Sequence, residues 1–448
     1  MSQTASARTL VFLLVALLLV AGTAAAASVS KHGLSNGVTV LTMPADWNRI
    51  VAISVMVDAG SKHDPPKLRG LAHLTNAMLS EGTTTMGATA LAEFADSHGI
   101  KLGTEVTEDY SQIYVTCTDS QLDVALDLVT DVLQHPAFDE GRLLNRQRVA
   151  LDMLDERQRD ALYGAFTRAG EAVYGEHPYA YPVEGTTKGI DRITPDALKK
   201  FHSSRYVGES TYIAVVGNFS ESHVLDSLGD LLADYPAREA PETVFPKLPE
   251  PPAEPIEIFR DVDEAQVVLG FRFPKADDPD YAALRVMTTM LGEGGGSMLY
   301  NALVDADEPA ATKTGAFCNC RVESGLLIVF ASTDDPELAI GRIHEQFDRL
   351  ETEPASDREL TRARNSLVGA RLIRGQTNIV RAARLASYEL FGLGADFEGT
   401  FLRAVNRVDK DDLTLVASKW LKRPVTVIVR PGRSARPSDR EIRKRAGI

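Results

Sequence analysis

Seven prolines fall between Pro236 and Pro255, and this stretch constrains the fold more than any other feature of the chain. Proline removes a backbone donor and fixes φ, so neither a helix interior nor a central strand runs through such a segment. With acidic residues interspersed, 236–255 reads as a semi-extended linker. It leaves two stretches of similar length, 28–235 and 256–431, and these carry the same order of elements, as a diverged repeat does.

Each half has an apolar strand, over 51–57 and 266–273, followed by a helix over 68–79 and 280–291. After a glycine-containing break come a strand (111–117; 325–332), an amphipathic helix (122–133; 336–350) and a second long helix (140–156; 357–374). Both halves close on a capped helix and a β-branched strand. Thr194 before Pro195 gives the first copy an N-cap with proline in the first turn; its strand is 212–217, and the second copy ends on 425–429. Strands that return after helices of this length predict an α+β fold of two homologous halves. Each is a mostly antiparallel sheet with helices packed on one face.

The ends read differently. Arg8, an apolar run over 10–21 and the small residues 22–27 form the pattern of a cleavable signal peptide over 1–27. The run is shorter than the ~20 residues a bilayer span needs, so export to a periplasm or secretion is expected, with no membrane attachment after cleavage. Residues 432–448 form a basic tail. Net charge is −14, which argues against nucleic acid as a partner. Cys117, Cys318 and Cys320 are too few for a disulfide framework, and Cys318 and Cys320 read as two small residues under a helix.

Residues 70–83 read Gly-Leu-Ala-His-Leu-Thr-Asn-Ala-Met-Leu-Ser-Glu-Gly-Thr. Other segments accompany this run: 34–40 (Leu-Ser-Asn-Gly-Val-Thr-Val), Ala59-Gly60-Ser61, Gly175-Glu176-His177-Pro178-Tyr179, Gly185-Thr186 and Val215-Val216-Gly217-Asn218. Collectively they resemble the insulinase/pitrilysin family of zinc metallopeptidases, in the branch of mitochondrial processing peptidase, over nearly the whole chain beyond residue 27. Active members carry H-x-x-E-H on this helix. Histidines at i and i+4 share one face and hold zinc, and the glutamate serves as general base. Here the resemblance retains His73 but puts Asn76 at the glutamate position and Ala77 at the second histidine. The third ligand position falls on Met153, with Asp152, Asp155 and Glu156 as the nearby carboxylates that a different register would select. An Asn-Ala pair of the family corresponds to Gly103-Thr104. Its substrate-holding Arg and Tyr correspond to Val304 and Ala311.

A catalytic zinc needs three protein ligands and an open water position, and an amide takes no proton at neutral pH. No catalytic residues and no zinc or other cofactor are therefore expected. Among nine histidines none stand four apart; a weak metal site built from His73 and His63 is the remaining option. The glycine turn Gly294-Gly295-Gly296-Ser297 resembles a loop of the non-catalytic processing-peptidase subunit implicated in substrate handling. It reads equally as a tight turn between helices. By the resemblance, the expected function is a non-catalytic subunit that pairs with an active paralogue, or with itself, around peptide substrate. The alternatives are a stand-alone peptide- or protein-binding module and a zinc endopeptidase with a rebuilt site.

Overall fold

A computed structural model describes residues 28–432. The expected signal peptide, and the expected basic tail apart from Gly432, lie outside the described residues. The first half runs β1 (Ser30–Gly33), β2 (Thr39–Pro44), β3 (Ile50–Val57), α1 (Leu71–Leu79), α2 (Ala88–Ser97), β4 (Lys101–Val106) and β5 (Ser111–Thr118). It continues through α3 (Leu122–Gln134), α4 (Glu140–Arg159), α5 (Ala161–Tyr174), α6 (Thr187–Ile190), α7 (Pro195–Arg205), β6 (Thr211–Gly217) and α8 (Glu221–Leu231). The second half is β7 (Ile256–Arg260), β8 (Ala265–Phe273), α9 (Tyr281–Gly292), α10 (Met298–Leu303), β9 (Lys313–Asn319) and β10 (Gly325–Thr333). It ends with α11 (Pro336–Thr352), α12 (Asp357–Arg374), α13 (Asn378–Leu390), α14 (Phe397–Arg407), α15 (Lys410–Trp420) and β11 (Val425–Pro431).

The first sheet has the order β1-β2-β6-β3-β5-β4 and the second β7-β11-β8-β10-β9. With β1 set aside, the two orders are the same. Each sheet has one parallel pair, β2 with β6 and β7 with β11, and is otherwise antiparallel. The repeat read from the sequence is thus a repeat of topology.

Apart from α5 and α13, the helices of each half pack on one face of its own sheet, as expected. Val51, Ile53, Val55 and Val57 of β3 join Leu74, Met78, Leu126, Leu143 and Leu198 in the first core. The opposite face is covered as well, by a helix from the other half. Ala382, Leu385 and Ala386 of α13 lie on Leu41, Ala52, Met56, Ala214 and Val216 of the first sheet. Reciprocally, Ala165, Ala169 and Val173 of α5 lie on Val268, Ile328, Val427 and Val429 of the second. Burial of both faces explains why β3 and β8 are apolar almost without alternation.

The expected linker has no helix or strand over 236–255, but it is docked. Thr243 Oγ1 lies 2.7 Å from His63 Nδ1 and accepts from Arg205 at 2.7 Å. Pro249 fits against Gly175, where a Cβ would lie 2.8 Å from its ring. Cys318 accepts from Arg285 of α9 at 2.8 Å, and Cys320 also packs on the second core.

Candidate functional site

Helix α1 begins three residues later than expected because its start is built from Gly70 and a distant cap. Gly70 has φ +105°, which glycine adopts without strain. Asp64 then accepts from Gly70 N at 2.7 Å and from Ala72 N at 2.8 Å. The carboxylate satisfies two of the amides that every helix start leaves unpaired. Burial nonetheless pushes its pKa up to about 7 against those backbone hydrogen bonds.

A Cβ on Gly70 would stand 2.6 Å from the Glu184 carbonyl, and one on Gly185 would stand 2.2 Å from the Arg69 carbonyl. These two glycines let the 182–185 loop close against the start of α1. That approach carries Glu184 into a cavity of about 300 Å³ lined by His73, Asn76 and Ala77 of α1, Thr104 to Val106 of β4, and Arg146, Val149 and Met153 of α4. The structure brings together all four positions singled out for the zinc motif. Asp152, Asp155 and Glu156 are exposed and are not among the residues that line this cavity.

The donor set does not fit zinc. His73 offers one imidazole, whose Nδ1 is buried without a partner among the described residues. Burial lowers its pKa; Glu184 works against this, and Arg157 and Arg146 reinforce it. Asn76 is buried and donates from Nδ2 to the Gln112 carbonyl at 3.1 Å, tying α1 to β5. Ala77 has no donor atom, and Met153 offers only a thioether. Sequence reasoning missed two carboxylates on this cavity: Glu105, which is exposed, and Glu184, which is buried and paired with Arg157 at 2.6 Å. Arg146, paired with Glu81 through Nε at 2.7 Å, adds a further cation to the cavity wall. Arg157 and Arg146 hold Glu184 and Glu81 in ion pairs, which leaves the His73 imidazole and the exposed Glu105 carboxylate as the remaining donors, fewer than the three a catalytic zinc needs. Among the described residues no group of three or more His, Cys, Asp or Glu is placed to hold a metal.

The His63 option fails on geometry. His63 lies in a different cavity, 2.8 Å from Asp58 and 2.7 Å from Thr243, and not with His73. Gly103 and Thr104 are in β4; Thr104 lines the His73 cavity, while Gly103 lies under the ring of Tyr114, which would be 2.3 Å from a Cβ. Gly294, Gly295 and Gly296 are exposed, and Ser297 caps α10 by accepting from Tyr300 N at 3.3 Å. None of the four lines the His73 cavity. Val304 and Ala311 pack on the second core, so neither presents a polar group to substrate.

The cavity is therefore apolar on the side of Ala77, Val106, Val149 and Met153 and polar at His73, Asn76, Thr104, Glu105, Glu184 and Arg146. Beside it, β4 is the terminal strand of its sheet, pairing only with β5. Chemically the arrangement suits an apolar side chain, with free strand-edge hydrogen bonds alongside.

Comparison with known proteins bears on the family and the fold. Residues 39–187 match the family described as insulinase (peptidase family M16), and residues 192–367 match the one described as peptidase M16 inactive domain. The second match begins before the linker, inside the half that the first sheet defines. An uncharacterized zinc protease of Mycobacterium leprae is 27% identical over 94% of this chain and 96% of its own length. A probable mitochondrial-processing peptidase subunit beta of Arabidopsis thaliana is 25% identical over 87% of this chain and 75% of its own. A Pseudomonas fluorescens crystal structure described as a peptidase M16 inactive domain shares the fold, with a TM-score of 0.84 at 22% identity. It covers 92% of this chain and 99% of that one. With the two family models matched in succession over 39–187 and 192–367, and the fold shared over 92% of its length, this chain belongs to the insulinase family of peptidases, peptidase family M16.

Proposed function

We propose that this chain is a non-catalytic, peptidase-like subunit that binds extended peptide at the His73 cavity and pairs with an active zinc peptidase of its family. The observation that carries this reading is the occupancy of one cavity by His73, Asn76, Ala77 and Met153. The cavity persists, but its metal ligands and general base are replaced. In this reading the chain binds no zinc of its own. Peptide adds along the edge of β4, which supplies main-chain hydrogen bonds, and the apolar wall takes a side chain. The leader pattern supports work in a periplasm or outside the cell.

The test is reconstitution. The purified chain alone cleaves no peptide, whereas adding it to the active paralogue from the same host raises cleavage severalfold and yields a stable complex on gel filtration. Absence of both complex and stimulation, at low and moderate salt, would refute the pairing.

A second reading draws on Glu184. A carboxylate beside His73 supports a zinc endopeptidase with a rebuilt site, and the relative from Mycobacterium leprae is named a zinc protease. Chelator-sensitive cleavage by the chain alone, abolished by Glu184→Gln, would establish it.

A further inference from the structure

A second cavity lies one helical turn further along α4. It encloses about 580 Å³ between Arg157, Tyr163, Arg168 and Lys188 of the first half and Ile258 and Arg260 of β7. Resting on the peptide-binding reading above, we propose that it seats a carboxylate side chain of the bound peptide, two residues from the one anchored beside His73.

Charge is the first support. Arg157, Arg168, Lys188 and Arg260 line the cavity against a single acid, Glu171, in a chain whose net charge is −14. Two of these cations have partners: Arg168 pairs with Glu171 at 2.9 Å and Arg157 with Glu184 at 2.6 Å. Lys188 and Arg260 form no ion pair among the described residues. The cavity therefore keeps two uncompensated positive charges.

The donors are also held in place. Arg260 donates from Nη1 to the Gln158 carbonyl and lies against Gly164, where a Cβ would stand 3.2 Å from that nitrogen. Its remaining N–H groups are left for a ligand. Tyr163 Oη accepts from Arg157 Nη1 at 3.0 Å, which frees its own hydrogen to donate. A planar guanidinium with a hydroxyl beside it matches a carboxylate.

Spacing gives the third support. Met153 walls the His73 cavity and Arg157 walls the larger one, and the Arg157–Glu184 pair links the two. Four residues of helix rise about 6 Å, the length of about two residues of extended chain. Residues two apart on an extended peptide point to the same side. A peptide with one apolar side chain beside His73 thus directs the side chain two positions away into the basic cavity.

Fluorescence anisotropy on the full chain tests this with labelled Ala/Ser peptides that carry one Leu and one Glu. The Glu stands two residues before the Leu in one peptide and two after it in the other, and each has a Gln counterpart. One Glu peptide should bind about tenfold more tightly than its Gln twin, with the ratio falling toward one at about 0.5 M salt. Lys188 is exposed, so Lys188→Glu does not threaten folding; it should collapse or invert the ratio, as should Arg260→Gln, with thermal melts confirming that both variants fold. Equal affinities of wild type for the Glu and Gln peptides, or a ratio unmoved in Lys188→Glu, would overturn the carboxylate site while leaving peptide binding standing. No binding of any peptide would overturn both.

Discussion

His202 packs between Phe138 and Tyr206, and its Nε2 donates to the Leu133 carbonyl at 2.8 Å. Burial lowers its pKa to about 4, and His177, also desolvated, is lowered to about 4. An unfolded histidine takes up its proton near pH 6.5. Between those values the unfolded chain binds more protons than the folded one, so stability falls as pH falls through that window. Each histidine costs roughly 2 kcal/mol at pH 5 relative to pH 7. Urea melts at the two pH values should show His202→Phe losing less stability on acidification than wild type; an unchanged acid slope would contradict the burial argument. At this scale the sequence was partly readable. His73, Asn76, Ala77 and Met153 were legible because helix periodicity fixes which positions share a face. Glu184 was not, because no spacing rule links a helix residue to a loop far along the chain, and the link runs through the glycines at 70 and 185 that let two backbones touch.

Two elements depend on single polar side chains. Asp64 holds the start of α1, so Asp64→Ala should cost about 1–2 kcal/mol in chemical denaturation and loosen the helix that carries His73. Asn378 opens α13, donating to the Ile50 carbonyl at 2.7 Å and accepting from Trp47 Nε1 at 3.1 Å. Asn378→Ala leaves both groups short of a partner and should cost about 1–2 kcal/mol. A loss below about 0.3 kcal/mol in either variant would show that water replaces the side chain. The main strands and long helices were legible from their apolar periods. β4 and β7 lie at sheet edges with weaker patterns, and α5 and α13 follow long helices without a strong break, so these were missed, whereas the end of β9 was read as a strand at Cys318. The unalternating run of β3 already signalled burial on both faces, but nothing local says that the second cover comes from 330 residues along the chain, where Asn378 meets Asn48.

The halves are bound reciprocally. Besides the exchanged helices, Arg321 pairs with Glu108 and stands 4.8 Å over the Tyr179 ring, while Asp109 accepts from Val322 N at 3.1 Å and from the Tyr179 hydroxyl. Each half alone carries a helix meant for its partner and exposes the back of its own sheet, which leaves a large apolar surface. Fragments 28–235 and 256–431 expressed separately should aggregate, and co-expressed they should form a soluble one-to-one complex on sedimentation analysis. Soluble, cooperatively folding single halves would contradict the exchange as the main bond between them. The repeat was legible from element order and the linker, whereas the exchange was not, because both halves read as self-sufficient sheets.

In the function proposed above, the cavity of His73, Asn76, Ala77 and Met153 holds no zinc. Elemental analysis of the purified chain after mild dialysis against zinc, beside His73→Ala, tests it most directly. Zinc is expected well below one equivalent in both proteins, with no difference between them. One firmly held zinc per wild-type chain, lost in His73→Ala, would contradict it and identify a metal centre built on His73.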